Sequence, residues 1–384
     1  GGEPVADVVV EIDEDQAYRL GRLEFHGNTS THDVVLRREM NVHEGEILDK
    51  AQLDRSMQKL RNLGFWLPSE EPALTPDVEE AEVDVDVYGE EQSRNEIQVG
   101  GGYSELEGGF FLGSFRTQNF LGRGETLNLY AAVGGQSNRA QISFVEPWFM
   151  GEPYTFGFTI SRQSLDFGRV RDATGAVSNL NQTSTGGSIL VGRRIGDFSR
   201  FQLRYQYQSI TADTIDLSST FASTETRLAS IIPSFNLNRV NNPLRPTRGY
   251  QLDLFTEIAA DWLGGDVSFI KPRFEGSWYQ PLNPKLFLGL HAEVGWIEQF
   301  GDLVRRPGFV AGVPRFERFF LGGDRIGPRG FETRSLSPLR FIVPVDENGN
   351  PRVDPTTGIV TPVPAFVGGS KFGLIQLELG IPVG

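Results

Sequence analysis

A small α+β module followed by an antiparallel transmembrane β-barrel is the fold class the sequence predicts, and three observations predict it. The charge is split: residues 1–94 hold 23 Asp and Glu against 9 Lys and Arg, while the remainder holds 27 of each. The hydrophobic period changes at the same place, from a mixed helix-and-strand pattern to long two-residue alternation. The alternating stretches run about 10 to 16 residues, well beyond the roughly 5–6 of a soluble strand.

The leading module reads β-α-α-β-β over residues 18–92. Arg19–His26 alternates, Gly27-Asn28 turns, and Thr29–Thr31 offer caps for a helix through Val34-Val35-Leu36. A second helix starts at Asp49, with Gln52 placed for a capping box. Leu53, Met57, Leu60 and Leu63 form its apolar face, and Gly64 stops it. In the last strand Val83, Val85 and Val87 alternate with Asp84 and Asp86. Residues 1–17 carry a similar acid-and-valine strand at Val5–Asp15, so they read as the end of a preceding repeat. The expected domain boundary lies at Glu90–Arg94.

Residues 95–384 read as the barrel. Strand-like segments fall at 95–103, 109–118, 124–134, 138–148, 154–165, 181–195, 200–212, 224–239, 249–261, 265–280, 285–299 and 370–382. In Phe287–Trp296, Leu288, Leu290, Ala292, Val294 and Trp296 form one face, and Gly289, His291, Glu293 and Gly295 the other. An apolar face suits lipid, and a polar, glycine-bearing face suits a wet lumen. Short turns such as Leu121–Arg123 and Gly196–Ser199 alternate with longer connections at 166–180, 213–223 and 301–369. That asymmetry is expected of an outer-membrane barrel. No run of 18 apolar residues is present, so no transmembrane helix is predicted, which leaves a barrel open.

Several chemistries find no support. The chain has no cysteine, which excludes disulfides and thiolate metal sites. Its four histidines lack ligand spacing, and Asn348-Gly349 reads as a hairpin turn, not a calcium loop. There is no nucleophile elbow, phosphate loop or zinc-protease helix motif, so neither an enzyme nor a cofactor or metal is expected. The acidic leading module argues against nucleic acid as a partner.

Two stretches carry a family resemblance. Phe319–Phe331, with Gly322-Gly323 and Arg329-Gly330-Phe331, resembles the signature of the BamA-type family, outer-membrane barrels that insert or translocate other proteins. Phe25-His26-Gly27-Asn28-Thr29, followed by Leu36–Met40 and Glu44-Gly45, resembles a POTRA domain. The resemblance implies a barrel of about 16 strands. With about 12 in view, the chain is expected to be an incomplete stretch that would not insert stably alone. It also implies that loop 301–369 folds back into the lumen, with Gly322, Gly323, Arg329, Gly330 and Phe331 as its motif. Glu378 is then the expected anchoring partner of Arg329.

The first barrel strand would supply the gate side through Ile97, Val99, Gly100, Gly101 and Gly102. Three glycines in a row either weaken that seam or relieve crowding at a kink. The implied function is folding and insertion of β-barrel proteins into the bacterial outer membrane, with the POTRA domain in the periplasm. The alternative is export of one dedicated passenger protein. Implied partners are unfolded outer-membrane clients, accessory lipoproteins or chaperones at the POTRA domain, and the lipid bilayer.

Overall fold

Val83, Val85 and Val87 alternate along the leading module's last strand, and that strand becomes the middle of its sheet. The computed structural model of the chain describes residues 17–381, apart from 94, 105–107, 172–176, 197, 216–220, 243–244, 284–285, 302–312, 323–329, 332–334, 343–357, 361–362 and 367. The first unit contains β1 (Arg19–His26), α1 (Asp33–Arg37), α2 (Lys50–Leu63), β2 (Trp66–Pro68), β3 (Ala73–Asp77) and β4 (Glu82–Glu91). β4 pairs in parallel with β1 and antiparallel with β2 and β3, so the β-α-α-β-β order holds with its fourth element split. Val85 and Val87 join Leu20, Leu23, Phe25, Leu53, Met57 and Leu60 in one core. Trp66 is fully buried there, edge-on to Phe25 at 6.1 Å. The strand expected at 1–17 falls outside the described residues, save for residue 17.

The helix signals divide. Asp49 caps α2 by accepting from the N–H groups of Ala51 and Gln52 at 2.8 and 3.3 Å, and Gly64 ends it at φ 76°. Thr29–Thr31, expected as caps, do not cap α1; His32 holds the N-cap position without a side-chain bond. A carboxylate at the end of β4 takes the three residues instead. Glu91 accepts from the N–H groups of Ser30 and Thr31 at 2.8 and 2.5 Å and from Thr29 Oγ1 at 3.0 Å. The hairpin end 117–126 belongs to this unit too. Asn119 donates to Thr31 Oγ1 at 2.8 Å, and the His32 N–H donates to the Gly122 carbonyl at 2.9 Å.

Glu91 therefore makes the unit acid-sensitive. Burial alone would raise its carboxyl, but the donors of Thr31 and Ser30 outweigh burial and hold it down at about 2. A depressed folded value gives stability that is present above the unfolded value near 4.5 and lost as pH falls toward 2. Glu91→Gln is expected to cost about 1–2 kcal/mol at pH 7, after allowance for solvent screening. Urea unfolding at pH 7, 4 and 3 checks this: the wild-type midpoint falls with pH more steeply than the variant's.

The second unit is a 13-stranded sheet. Its strands are β5 (Asn95–Ser104), β6 (Gly108–Phe120), β7 (Glu125–Gly134), β8 (Ser137–Glu146), β9 (Tyr154–Arg171), β10 (Val177–Ile195), β11 (Ser199–Ile215), β12 (Phe221–Asn238), β13 (Gly249–Ala259), β14 (Phe269–Asn283), β15 (Leu286–Trp296), β16 (Glu298–Gln299) and β19 (Lys371–Gly380). Sheet order follows chain order from β5 to β15, with β19 beside β15 and the two-residue β16 on β14. A separate ladder joins β17 (Leu339–Ile342) to β18 (Val363–Phe366) within the long loop.

The loops expected at 166–180 and 213–223 are mostly strand. β9 and β10 stay paired out to Arg171–Val177, and β11 and β12 out to Ile215–Phe221. Backbone pairing outruns the apolar alternation, because the N–H and C=O groups of a strand need partners whether or not its side chains keep an apolar face. The turn expected at Asn348-Gly349 lies outside the described residues.

Candidate functional site: a polar wall and the stem of the long loop

Alternation sorts the strand side chains onto two faces. Leu254, Phe274, Trp278, Leu290, Val294 and Trp296 are exposed on one. The other is hydrogen-bonded from strand to strand. Ser230 Oγ donates to Glu257 at 2.9 Å, and Ser277 Oγ meets His291 Nδ1 at 3.0 Å. Arg273 donates to Glu293, which is buried. The Arg273 guanidinium also lies over the rings of Phe255 and Phe372, at 5.1 and 5.7 Å. Directly across the ladder is Gly295, where an added Cβ would stand 2.5 Å from the Phe372 ring and 3.2 Å from Phe319. A glycine there makes the room that the two aromatic rings fill.

The stem of the long loop lies against this face. The turn Arg315–Glu317 delivers Glu317, whose carboxylate accepts from Lys271 Nζ at 2.7 Å with both side chains largely buried. Phe319 follows, its ring 5.4 Å from the Lys271 ammonium and 4.7 Å from the Phe372 ring. The Phe319 N–H donates to the Gly369 carbonyl at 2.9 Å, and Gly369 returns the bond at 2.7 Å. Leu321 and Leu336 exchange a similar pair at 3.0 and 2.9 Å. Val313, Phe316 and Phe319 pack on a core of Ile210, Leu228, Ala259, Val267, Phe269 and Ile297.

The residues expected from sequence fall around this stem. Gly322 is buried at φ 104°, Gly330 has φ 88°, and Phe331 is exposed. Gly323 and Arg329 lie outside the described residues, so the expected Arg329–Glu378 pair does too. The Leu321–Leu336 bridge brackets the whole motif stretch from 322 to 335. Glu378 is exposed and sits opposite Gly289, on the face that carries His291 and Glu293. Ile97 and Val99 are strongly exposed on β5, which pairs only with β6 among the described residues. A Cβ at Gly101 would approach the Phe110 carbonyl to 2.9 Å and one at Gly102 the Phe110 ring to 3.2 Å, whereas at Gly100 the nearest atom is 3.8 Å away.

Sequence reading missed Lys271, Arg273, Glu317, Phe319 and Phe372 as a set. One signal was available: Lys271, Arg273, Glu275 and Ser277 alternate with apolar residues along β14, which marks them as wall residues. Nothing local pointed to Glu317, whose partner is 46 residues away. The Ser277–His291 pair lacks the third member of a hydrolytic relay, since no carboxylate bonds to His291 among the described residues.

The family model described as the Omp85 superfamily domain matches residues 119–383. The chain belongs to the Omp85 superfamily. The POTRA model, described as a surface antigen variable number repeat, matches residues 18–91. A relative named outer membrane protein assembly factor BamA, from Nitratidesulfovibrio vulgaris, is 28% identical over 98% of this chain and 43% of its own length. The BamA of Neisseria meningitidis serogroup B is 22% identical over 93% of this chain and 46% of its own length. The chain thus spans less than half the length of these relatives. The crystal structure of BamA from Haemophilus ducreyi lacking POTRA domains 1–3 superposes with a TM-score of 0.74 at 21% identity, covering 97% of this chain and 69% of that one. As an Omp85 member with a POTRA domain, the protein resides in the outer membrane with that domain in the periplasm. The apolar face of the sheet is then its lipid face, and the polar face lines the lumen.

Proposed function

We propose that this Omp85 chain is part of an outer-membrane protein assembly factor, which folds and inserts β-barrel proteins. The observation that carries the reading is the likeness to BamA assembly factors along nearly the whole chain, POTRA domain and sheet together. The physical task is to spare client strands from exposing unpaired amides to lipid. The POTRA domain holds an unfolded client, with accessory lipoproteins or chaperones as further partners, through added strand pairing. The gate side is β5, with Ile97, Val99 and Gly100–Gly102, whose thin side-chain cover makes its ladder easy to open. Arg329 anchors the motif loop to Glu378 by a charge-assisted pair, with Gly322, Gly323, Gly330 and Phe331 shaping that loop. No covalent step is needed, and the driving force is the client's own folding.

The test places the full-length protein in liposomes with a urea-unfolded barrel client and follows folding by gel mobility. Wild type is expected to accelerate folding, and Arg329→Ala to lower the rate about tenfold, the equivalent of one lost charged contact. No acceleration by well-folded wild type would refute the assembly reading in favour of export of a dedicated passenger.

A further inference from the structure

We propose that Lys271 and Glu317, with Phe319 clamped between Lys271 and Phe372, form a positioning set that fixes the stem of the long loop to the barrel wall independently of the Arg-Gly-Phe motif. The motif lies within residues 322–335, and every contact of this set lies outside that stretch.

The geometry favours a fixed stem over a loop resting on the wall. The Lys271–Glu317 pair is 2.7 Å long, with side chains only 17% and 12% exposed. An ion pair removed that far from water holds only while both charges stay together, because separating them strands a charge in a poorly solvated site. Its surroundings sharpen this. Glu257 lies directly across the β13–β14 ladder from Lys271, and Arg273 is committed to Glu293. Lys271 thus stands between two carboxylates, Glu257 on the wall and Glu317 on the loop. Taking Glu317 away would leave only apolar and ring contacts from Val313, Phe316 and Phe319 to hold the stem at that level. One backbone exchange joins the stem to the segment leading into the wall: Phe319 with Gly369, two residues before β19 starts at Lys371. The inference rests on the sheet lining a lumen and not on what the protein does to clients.

The absence of cysteine allows a clean probe. Val313→Cys is placed in the full-length protein, where Val313 is a stem residue packed half-buried on the wall core. Its reaction with a membrane-impermeant maleimide is then followed in intact cells, since labelling of a docked residue reports local opening. Labelling is expected to be slow in the parent and about tenfold faster with Lys271→Glu or Glu317→Lys. It should return to slow in the Lys271→Glu/Glu317→Lys double variant and stay slow with Arg329→Ala. Single variants as slow as the parent would overturn the proposal, as would a double variant as fast as the singles or release by Arg329→Ala. If a charge reversal fails to reach the membrane, Glu317→Gln replaces it: faster labelling of assembled protein supports the proposal, and unchanged labelling refutes it. Client folding is not the readout, so a failed assembly reading leaves this result intact.

Discussion

Trp66→Ala is expected to destabilise the POTRA domain by about 3–5 kcal/mol. The ring is fully buried, edge-on to Phe25, and lies where a Cβ on Gly89 would stand 2.3 Å from it. Its loss leaves a cavity bounded by a strand that cannot grow a side chain inward. Such truncations cost about 3–5 kcal/mol. A domain of this size holds roughly 4–11 kcal/mol in all, so one residue removes a large share of it. Trp66→Phe should cost clearly less, because it keeps an aromatic ring and discards an indole N–H that is buried without a hydrogen-bond partner among the described residues. Near-UV circular dichroism with urea unfolding separates the two: a Trp66→Ala domain with a wild-type midpoint would contradict the core described above.

The second large effect belongs to the barrel wall. Arg273→Ala removes the cation beside Glu293 and leaves a carboxylate only 8% exposed on the inner face. Breaking one side of a buried pair costs about 3–5 kcal/mol. It also empties the space between Phe255 and Phe372 that the guanidinium fills. The double variant Arg273→Met/Glu293→Leu is expected to recover most of the loss, since no charge is then left without a partner. Heat-modifiable gel mobility and urea unfolding in detergent micelles measure both. If Arg273→Ala matches wild type in each, the pair is solvated and of little weight.

The barrel was legible where lipid dictates chemistry. Leu288, Leu290 and Val294 must be apolar and Gly289, His291 and Glu293 need not be, so period two survives in the sequence along β15. Where β9 to β12 run past that zone, only backbone pairing continues, and backbone pairing leaves no side-chain pattern. The POTRA domain was legible through Gly64, Asp49 and the valines of β4, each acting on its near neighbours. Thr29–Thr31 were misassigned because their partner is Glu91, some sixty residues on. The loop stem failed for the same reason. Lys271 and Glu317 are plain charged residues in sequence, and only the fold makes them a pair. Glu378 was assignable to the inner face because its neighbours alternate.

The parallel pairing of β1 with β4 sets an order of events during synthesis. His26 meets Tyr88 across a separation of about sixty residues, and β4 is the middle of its sheet. Closing such a span costs roughly 3–4 kcal/mol of chain entropy, against about 1 kcal/mol for the tight turn between β10 and β11. Until residues 82–91 have emerged, no ladder of the POTRA sheet can form, so this domain should fold late and all at once. The following sheet, whose strands up to β15 pair in the order they are made, is free to grow one hairpin at a time.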